Sequence, residues 1–258
     1  MSNGKLQDHY DLYGIVVEDD SLEEEAKLLA EQLRIPVRSV ADPAVAESLH
    51  LRLDRNGLAL QLKEQIMRGD FAGMQKRLRT GNLQREMLIK AARVKGISSP
   101  LVIDATAGMG EDSLILAAAG FRVRMYERDP VIAALLADAL RRASEHPELS
   151  DITGRMKLII EDSITAMKAL DNPPDVILLD PMFPERQKSS LVKKKFQLLH
   201  QLESPCEDEE QLLKAAVGTG PRKIVIKRPL KGSYLAGRKP DYSLKGKAIR
   251  YDCLVFAG

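Results

Sequence analysis

The 258-residue sequence contains no tryptophan, only two cysteines and an aromatic content of 4%. Cys206 and Cys253 lie far apart and form no Cys-x-x-Cys pair, which excludes a disulfide framework and a cysteine-built zinc site. The four histidines, His9, His50, His146 and His200, show no ligand spacing, so no metal centre is expected. No apolar run reaches the roughly 18 residues of a membrane-spanning helix. Residues Met1 to Leu6 show no basic segment leading into an apolar one, and a cytoplasmic location is the expectation. Scarce aromatics also argue against recognition by stacking along an extended single strand.

What is present is the balance of a globular protein, with 44% hydrophobic and 29% charged residues. The formal net charge of +2 conceals an uneven distribution. Residues 18–31 hold seven acids (Glu18, Asp19, Asp20, Glu23, Glu24, Glu25, Glu31) against the single base Lys27. Residues 222–250 hold ten bases (Arg222, Lys223, Lys227, Arg228, Lys231, Arg238, Lys239, Lys245, Lys247, Arg250) against the single acid Asp241. Such separation points to a face that meets a polyanion.

Two regions follow from the hydrophobic pattern. Residues 1–82 read as a small N-terminal α/β extension. It has a β-rich start at Tyr13–Val17, and Ser21 with Glu24 resembles a capping box opening a helix through Leu33. A hairpin follows, with strands at Leu49–Leu53 and Leu58–Leu62 around Asp54-Arg55-Asn56-Gly57. The glycine-punctuated stretch 68–82, with Arg68, Lys76, Arg77 and Arg79, reads as a flexible basic connector or substrate loop. From 83 to 258, short apolar strands alternate with helices. Strands are expected at Leu101–Ile103, Arg122–Tyr126, Met156–Ile160, Val176–Leu179 and Lys223–Ile226. Helices are expected at about 83–95, 112–119, 130–143, 191–202 and 209–216, and Ala248–Phe256 reads as a closing strand, antiparallel to its neighbours. This alternation predicts a doubly wound, mostly parallel α/β sheet of Rossmann-like type.

In such a sheet, ligands bind beyond the carboxyl ends of the strands, where strand order reverses. Those ends are polar here. The first strand ends in Asp104-Ala105-Thr106-Ala107-Gly108-Met109-Gly110-Glu111-Asp112, the second in Glu127-Arg128, the third in Asp162-Ser163 and the fourth in Asp180. Gly108 and Gly110 allow a tight turn and close backbone approach. Glu127 is placed to accept hydrogen bonds from both hydroxyls of a ribose. Ser113 stands where a dinucleotide fingerprint has its third glycine, and Glu111 and Asp112 would repel a pyrophosphate. The same acids suit the ammonium and sulfonium of S-adenosylmethionine (SAM), so that cofactor is favoured over NAD.

The fourth strand runs into Asp180-Pro181-Met182-Phe183-Pro184. An exocyclic amine on a nucleobase is a poor nucleophile because its lone pair is delocalised into the ring. A carboxylate and a backbone carbonyl that bind its N–H groups can orient that lone pair, and an aromatic ring can stack the base. Asp180, the carbonyl of Pro181 and Phe183 supply those parts, in a segment resembling the Asp/Asn-Pro-Pro-Tyr/Phe of amino-group methyltransferases with Met182 in place of the second proline.

The segments Asp104–Gly110, Arg122–Leu136, Asp180–Lys195 and Val225–Pro229 together resemble the ribosomal RNA small-subunit methyltransferase J family, most densely from about 100 to 228. The resemblance implies a class I methyltransferase fold, SAM as cofactor, and methylation of the N2 amine of a guanosine in small-subunit (16S) ribosomal RNA. It implies SAM contacts at Glu111, Asp112, Glu127, Arg128, Asp162, Ser163 and Asp180, in addition to Asp104, Gly108 and Gly110 in the turn. Arg186, Lys188, Lys193, Lys194 and Lys195, with Lys227 and Arg228, form the expected RNA-phosphate rim. Open alternatives are a ribose 2′-O-methyltransferase using Asp180 and Lys227, an NAD-dependent oxidoreductase, and a non-catalytic RNA-binding assembly protein on the same fold.

Overall fold

The computed structural model describes residues 12–181, 198 and 208–256. They fall into two compact units: 12–69, 130–139 and 198 in the first, and 70–129, 140–181 and 208–256 in the second. The expected helix at 191–202 lies outside the described residues, except for Leu198.

In the first unit, β1 (Ile15–Val17) is followed by α1 (Glu23–Leu33), β2 (Val37–Arg38), β3 (His50–Asp54), β4 (Gly57–Leu62) and β5 (Gln65–Met67). They form a sheet ordered β2-β1-β3-β4-β5, parallel from β2 to β3 and antiparallel beyond. The hairpin reads as expected. Its turn closes because the Asp54 carboxylate accepts from Asn56 N at 2.7 Å and Gly57 adopts φ +99°. The start of α1 differs from the expected capping box. Asp19 takes the cap, accepting from Ser21 N at 3.0 Å over a preceding 3-10 turn, Asp20–Leu22, and this shifts the α-helix start to Glu23.

The second unit begins with α2 (Gln75–Leu78), α3 (Thr80–Leu83) and α4 (Met87–Ala92). The stretch expected as a flexible connector is thus wound into helical turns, because Leu78 and Leu83 are buried and pin it. Then come β6 (Leu101–Asp104), α5 (Glu111–Ala118), β7 (Arg122–Glu127), α6 (Pro130–Ser144, whose first ten residues belong to the first unit), α7 (Ser150–Thr153), β8 (Met156–Ile160), α8 (Ser163–Lys168) and β9 (Val176–Leu179). The described chain ends with α9 (Glu209–Gly218), β10 (Lys223–Pro229), β11 (Tyr242–Lys245) and β12 (Ile249–Val255). The sheet order is β11-β12-β10-β9-β6-β7-β8. Five strands are parallel, and β12 enters antiparallel beside β10. Each central strand has an apolar middle because helices cover both faces of such a sheet; Val102, Ile103, Ile177, Leu179, Ile224 and Ile226 are all buried.

Chain order reverses between β6 and β9, so the crevice that this topology provides opens beyond Asp104 and Leu179. The antiparallel edge is fixed by a buried ion pair. Arg250 meets Asp252 at 2.9 Å and donates to the carbonyls of Pro229, Leu230 and Gly232 at 2.8, 3.0 and 2.9 Å, so one guanidinium shapes the loop leaving β10. Arg250→Met leaves Asp252 as an uncompensated buried charge. The expected loss is about 3–5 kcal/mol of unfolding free energy, measured by urea denaturation.

Candidate cofactor and acceptor site

The turn between β6 and α5 is built from behind and from the side. Asp104 ends β6 with 2% of its surface exposed. Its carboxylate accepts Ser113 Oγ–H at 2.6 Å and Thr106 N–H at 3.2 Å, tying strand end to helix start. Burial pushes its pKa up to about 7 against the pull of the Ser113 bond. Asp104, expected among the cofactor contacts, therefore lies beneath the turn as its anchor, its carboxylate engaged by Ser113 and Thr106. Gly108 and Gly110 take φ +52° and +74°, the left-handed conformation that disfavours any residue with a Cβ. At Gly108 a Cβ would meet nothing within 4 Å, so conformation and not space demands the glycine.

Glu127, at the end of β7, holds the turn from the side. One carboxylate oxygen accepts from Gly108 N at 3.0 Å and the other from Asp129 N at 2.8 Å, and withdrawal from water raises its pKa. Each oxygen keeps a further lone pair, so a fixed bidentate acceptor remains at the strand end. Asp162 caps α8, accepting from Thr165 N at 2.9 Å, and lies 3.7 Å from Arg128. Ser163 is buried in the first turn of that helix. Glu111 is exposed at the start of α5.

The acceptor side is joined to the turn by one ammonium. Lys227 Nζ, on β10, lies 2.6 Å from Asp112 of α5 and 2.8 Å from Asp180 beyond β9. Burial alone would depress the lysine, but the charges of Asp180 and Asp112 outweigh it and hold the ammonium protonated. For Asp180, withdrawal from solvent raises the pKa while Lys227 works against it. Asp180 N–H donates to Thr106 Oγ1 at 2.7 Å, and Pro181 is buried behind it. Two rim expectations are corrected here. Lys227 faces these carboxylates and not an external phosphate. Arg228, the next residue on the strand, points to the opposite face and is 2% exposed; its guanidinium donates to Ser233 O at 2.8 Å and lies 3.5 Å from Glu209. Phe183, Arg186, Lys188, Lys193, Lys194 and Lys195 lie outside the described residues.

The place of two further groups at the site escaped the sequence reading. Tyr251 pairs with Lys227 across the β10–β12 ladder; it is buried, and desolvation followed by the Asp112 charge raises its pKa. Arg77, from the stretch read as a connector, forms a two-pronged pair with Glu86 at 2.6 and 3.0 Å, and it lies close enough to Asp112 and Tyr251 to feel their charge. Among the described residues no cluster of three His, Cys, Asp or Glu side chains could hold a metal ion.

The family model described as "Putative SAM-dependent methyltransferase" matches residues 31–256. A ribosomal RNA small subunit methyltransferase J from Thioalkalivibrio sulfidiphilus is 38% identical over 92% of this chain and 94% of its own length. A namesake from Dechloromonas aromatica is 40% identical over 88% and 93%. The chain belongs to the ribosomal RNA small subunit methyltransferase J family. The crystal structure of a SAM-dependent methyltransferase from Neisseria gonorrhoeae, 31% identical, superposes with a TM-score of 0.73 over 94% of this chain and 95% of that one.

SAM is the cofactor of this methyltransferase J family member, and the donor set fits it. The glycine turn carries carboxylates and no basic side chain, as suits a cationic ligand without phosphates, and Glu127 offers paired acceptors of the kind a ribose diol needs.

Asp104 binds its proton more tightly in the folded than in the unfolded chain. The stability it contributes is therefore present in acid and lost as pH rises from about 4 to about 7. Measured by urea unfolding between pH 5 and 8, wild type is expected to lose stability relative to Asp104→Asn as pH rises, with the difference levelling off above the folded-state pKa.

Proposed function

We propose that the chain transfers the methyl group of SAM to the N2 amine of a guanosine in small-subunit (16S) ribosomal RNA, in the cytoplasm. The observation that carries this reading is the position of Asp180 at the switch-point crevice, fixed through Lys227 to the turn that carries the cofactor contacts. Among the described residues no helix is long and apolar enough to cross a membrane, which is compatible with that location.

Bound SAM supplies an electrophilic methyl group on a sulfonium. The chain's own residues do the rest. Glu127 accepts from the ribose hydroxyls, Asp162 and Ser163 flank the adenine, and Gly108, Gly110, Glu111, Asp112 and Arg128 complete the cofactor contacts. Asp180 accepts an N–H of the guanine amine while the Pro181 carbonyl accepts the other, which aligns the nitrogen lone pair, and Phe183 stacks on the base. The raised pKa of Asp180 favours its holding the proton that the amine releases on methylation. Arg186, Lys188, Lys193, Lys194 and Lys195 contact RNA phosphates. The ribose-hydroxyl alternative needs Lys227 as a base, and an ammonium kept charged by two carboxylates is poorly suited to take a proton.

Asp180→Ala is expected to lower kcat on undermethylated small subunits by about 10²–10⁴-fold, and by more than it weakens SAM binding. Digestion of the wild-type product to nucleosides, with mass analysis, is expected to give N2-methylguanosine. Full activity in the variant would remove Asp180 from the mechanism, and a methyl on ribose would overturn the amine assignment.

Glu127→Ala deletes a charged acceptor for two hydroxyls. It is expected to raise the Kd for SAM about ten- to a hundredfold, measured by isothermal titration calorimetry, while NAD binds neither protein.

A further inference from the structure

Between β10 and β12, residues 230–241 and β11 enclose a cavity of about 420 Å³ on the sheet edge. Its rim carries Lys231, Lys239 and Lys245, no acid lines it, and the Tyr234 ring forms a wall. Tyr234 and Tyr242, 41% and 39% exposed, are the exposed aromatic side chains among the described residues; Tyr234 lies over Arg250 on the face that carries the cavity, and Tyr242 on the other face, beside Lys223. The cavity is built rather than incidental. The buried Arg250 guanidinium lies 5.1 Å from the Tyr234 ring centroid and holds the carbonyls of residues 229, 230 and 232, so the loop behind the ring is fixed before anything binds.

We propose that this cavity is a second RNA-binding site, in which a single unpaired nucleotide stacks on Tyr234 while Lys231, Lys239 and Lys245 engage its flanking phosphates. The proposal rests on the RNA reading above and adds a place and a chemistry to it. A ring offers a face to any base, and an ammonium rim without acids suits a phosphate backbone. An acidic protein surface would match the lysines but leave the ring faces without a planar partner. The site also lies at the same end of the sheet as the crevice. Lys231 is four residues beyond Lys227, hence within roughly 14 Å of it along the chain, and the loop leaves β10 at the carboxyl end of the sheet, where Asp180 also sits. A nucleotide held here is a few positions from the one entering the crevice, which would set the register of the target base.

The full-length protein is titrated with protein-free small-subunit ribosomal RNA and with undermethylated subunits, and SAM affinity is recorded in parallel. Tyr234→Ala is expected to raise the Kd for RNA about tenfold, with kcat at saturating RNA and the Kd for SAM unchanged. Tyr234→Phe keeps the ring and is expected to bind like wild type. The triple variant Lys231→Gln, Lys239→Gln, Lys245→Gln is expected to reduce the slope of log Kd against log salt by about 2. Wild-type RNA affinity in Tyr234→Ala and the triple variant overturns the proposal. So does weakened binding to subunits alongside unchanged binding to protein-free RNA, since that outcome makes the partner a protein. Absence of methyl transfer by wild type would instead count against the functional reading, and is distinguishable because RNA affinity is measured without catalysis.

Discussion

The Lys227 ammonium, 2.6 Å from Asp112 and 2.8 Å from Asp180, is where three elements of the second unit meet: β10, the first turn of α5 and the end of β9. A buried cation without partners costs several kcal/mol, and two carboxylates facing each other across a crevice without a cation would repel. Each group is therefore tolerable only because of the other two. The trio carries one net negative charge, which suits a crevice that must accept a cationic cofactor. It also fixes the distance between the glycine turn and Asp180; with the roles proposed for them, positioning of that kind supplies much of the rate in a transfer that needs two reactants aligned.

The glycine turn obeys the same logic with backbone groups in place of a cation. Its left-handed glycines allow the chain to bend, but they do not hold it. Asp104 ties the turn from beneath through Ser113 and Thr106, and Glu127 ties it from the side through Gly108. Thr106 then passes the constraint to the acceptor side by accepting from Asp180 N. The position where a dinucleotide site would need a third glycine is thus occupied by a serine that has a structural use, and helix α5 begins where Ser113 can reach back to β6.

Much of this was legible in the residues. Strand ends announced themselves as apolar runs stopping at an acid, and in a parallel sheet those stops face one crevice. The strands at 156–160 and 176–179 were readable to the residue for that reason. What was not legible depends on direction and on distant pairing. Asp104 and Glu127 both close a strand with a carboxylate and share a face of the sheet, yet Asp104 is engaged beneath the turn by Ser113 and Thr106 while Glu127, one step further along its strand pair, reaches Gly108 N, and those partners are visible only in the fold. Lys227 and Arg228 read as a pair of phosphate ligands because they are adjacent bases, and the two faces of β10 send them to opposite sides. Tyr251 reaches the site only through its antiparallel pairing with Lys227, and Arg77 comes from a glycine-punctuated stretch whose buried leucines were read as connector.

That distinction changes the meaning of the basic stretch from 222 to 250. As a count, ten bases against one acid suggest a single polyanion-binding face. In the fold, four of them are engaged internally, and a fifth, the exposed Arg222, lies 3.6 Å from Asp175. Lys223 donates to the carbonyls of Ala91 and Arg93, Lys227 bridges Asp112 and Asp180, and Arg228 and Arg250 are buried among loop carbonyls. Lys231, Arg238, Lys239, Lys245 and Lys247 are exposed, and they cluster in the loop after β10 and the β11–β12 hairpin. Charge free to meet a polyanion is therefore narrower than the sequence count and lies at the sheet edge. Its coincidence there with the exposed ring of Tyr234 is what turns a general electrostatic preference into a specific place for an RNA strand to lie.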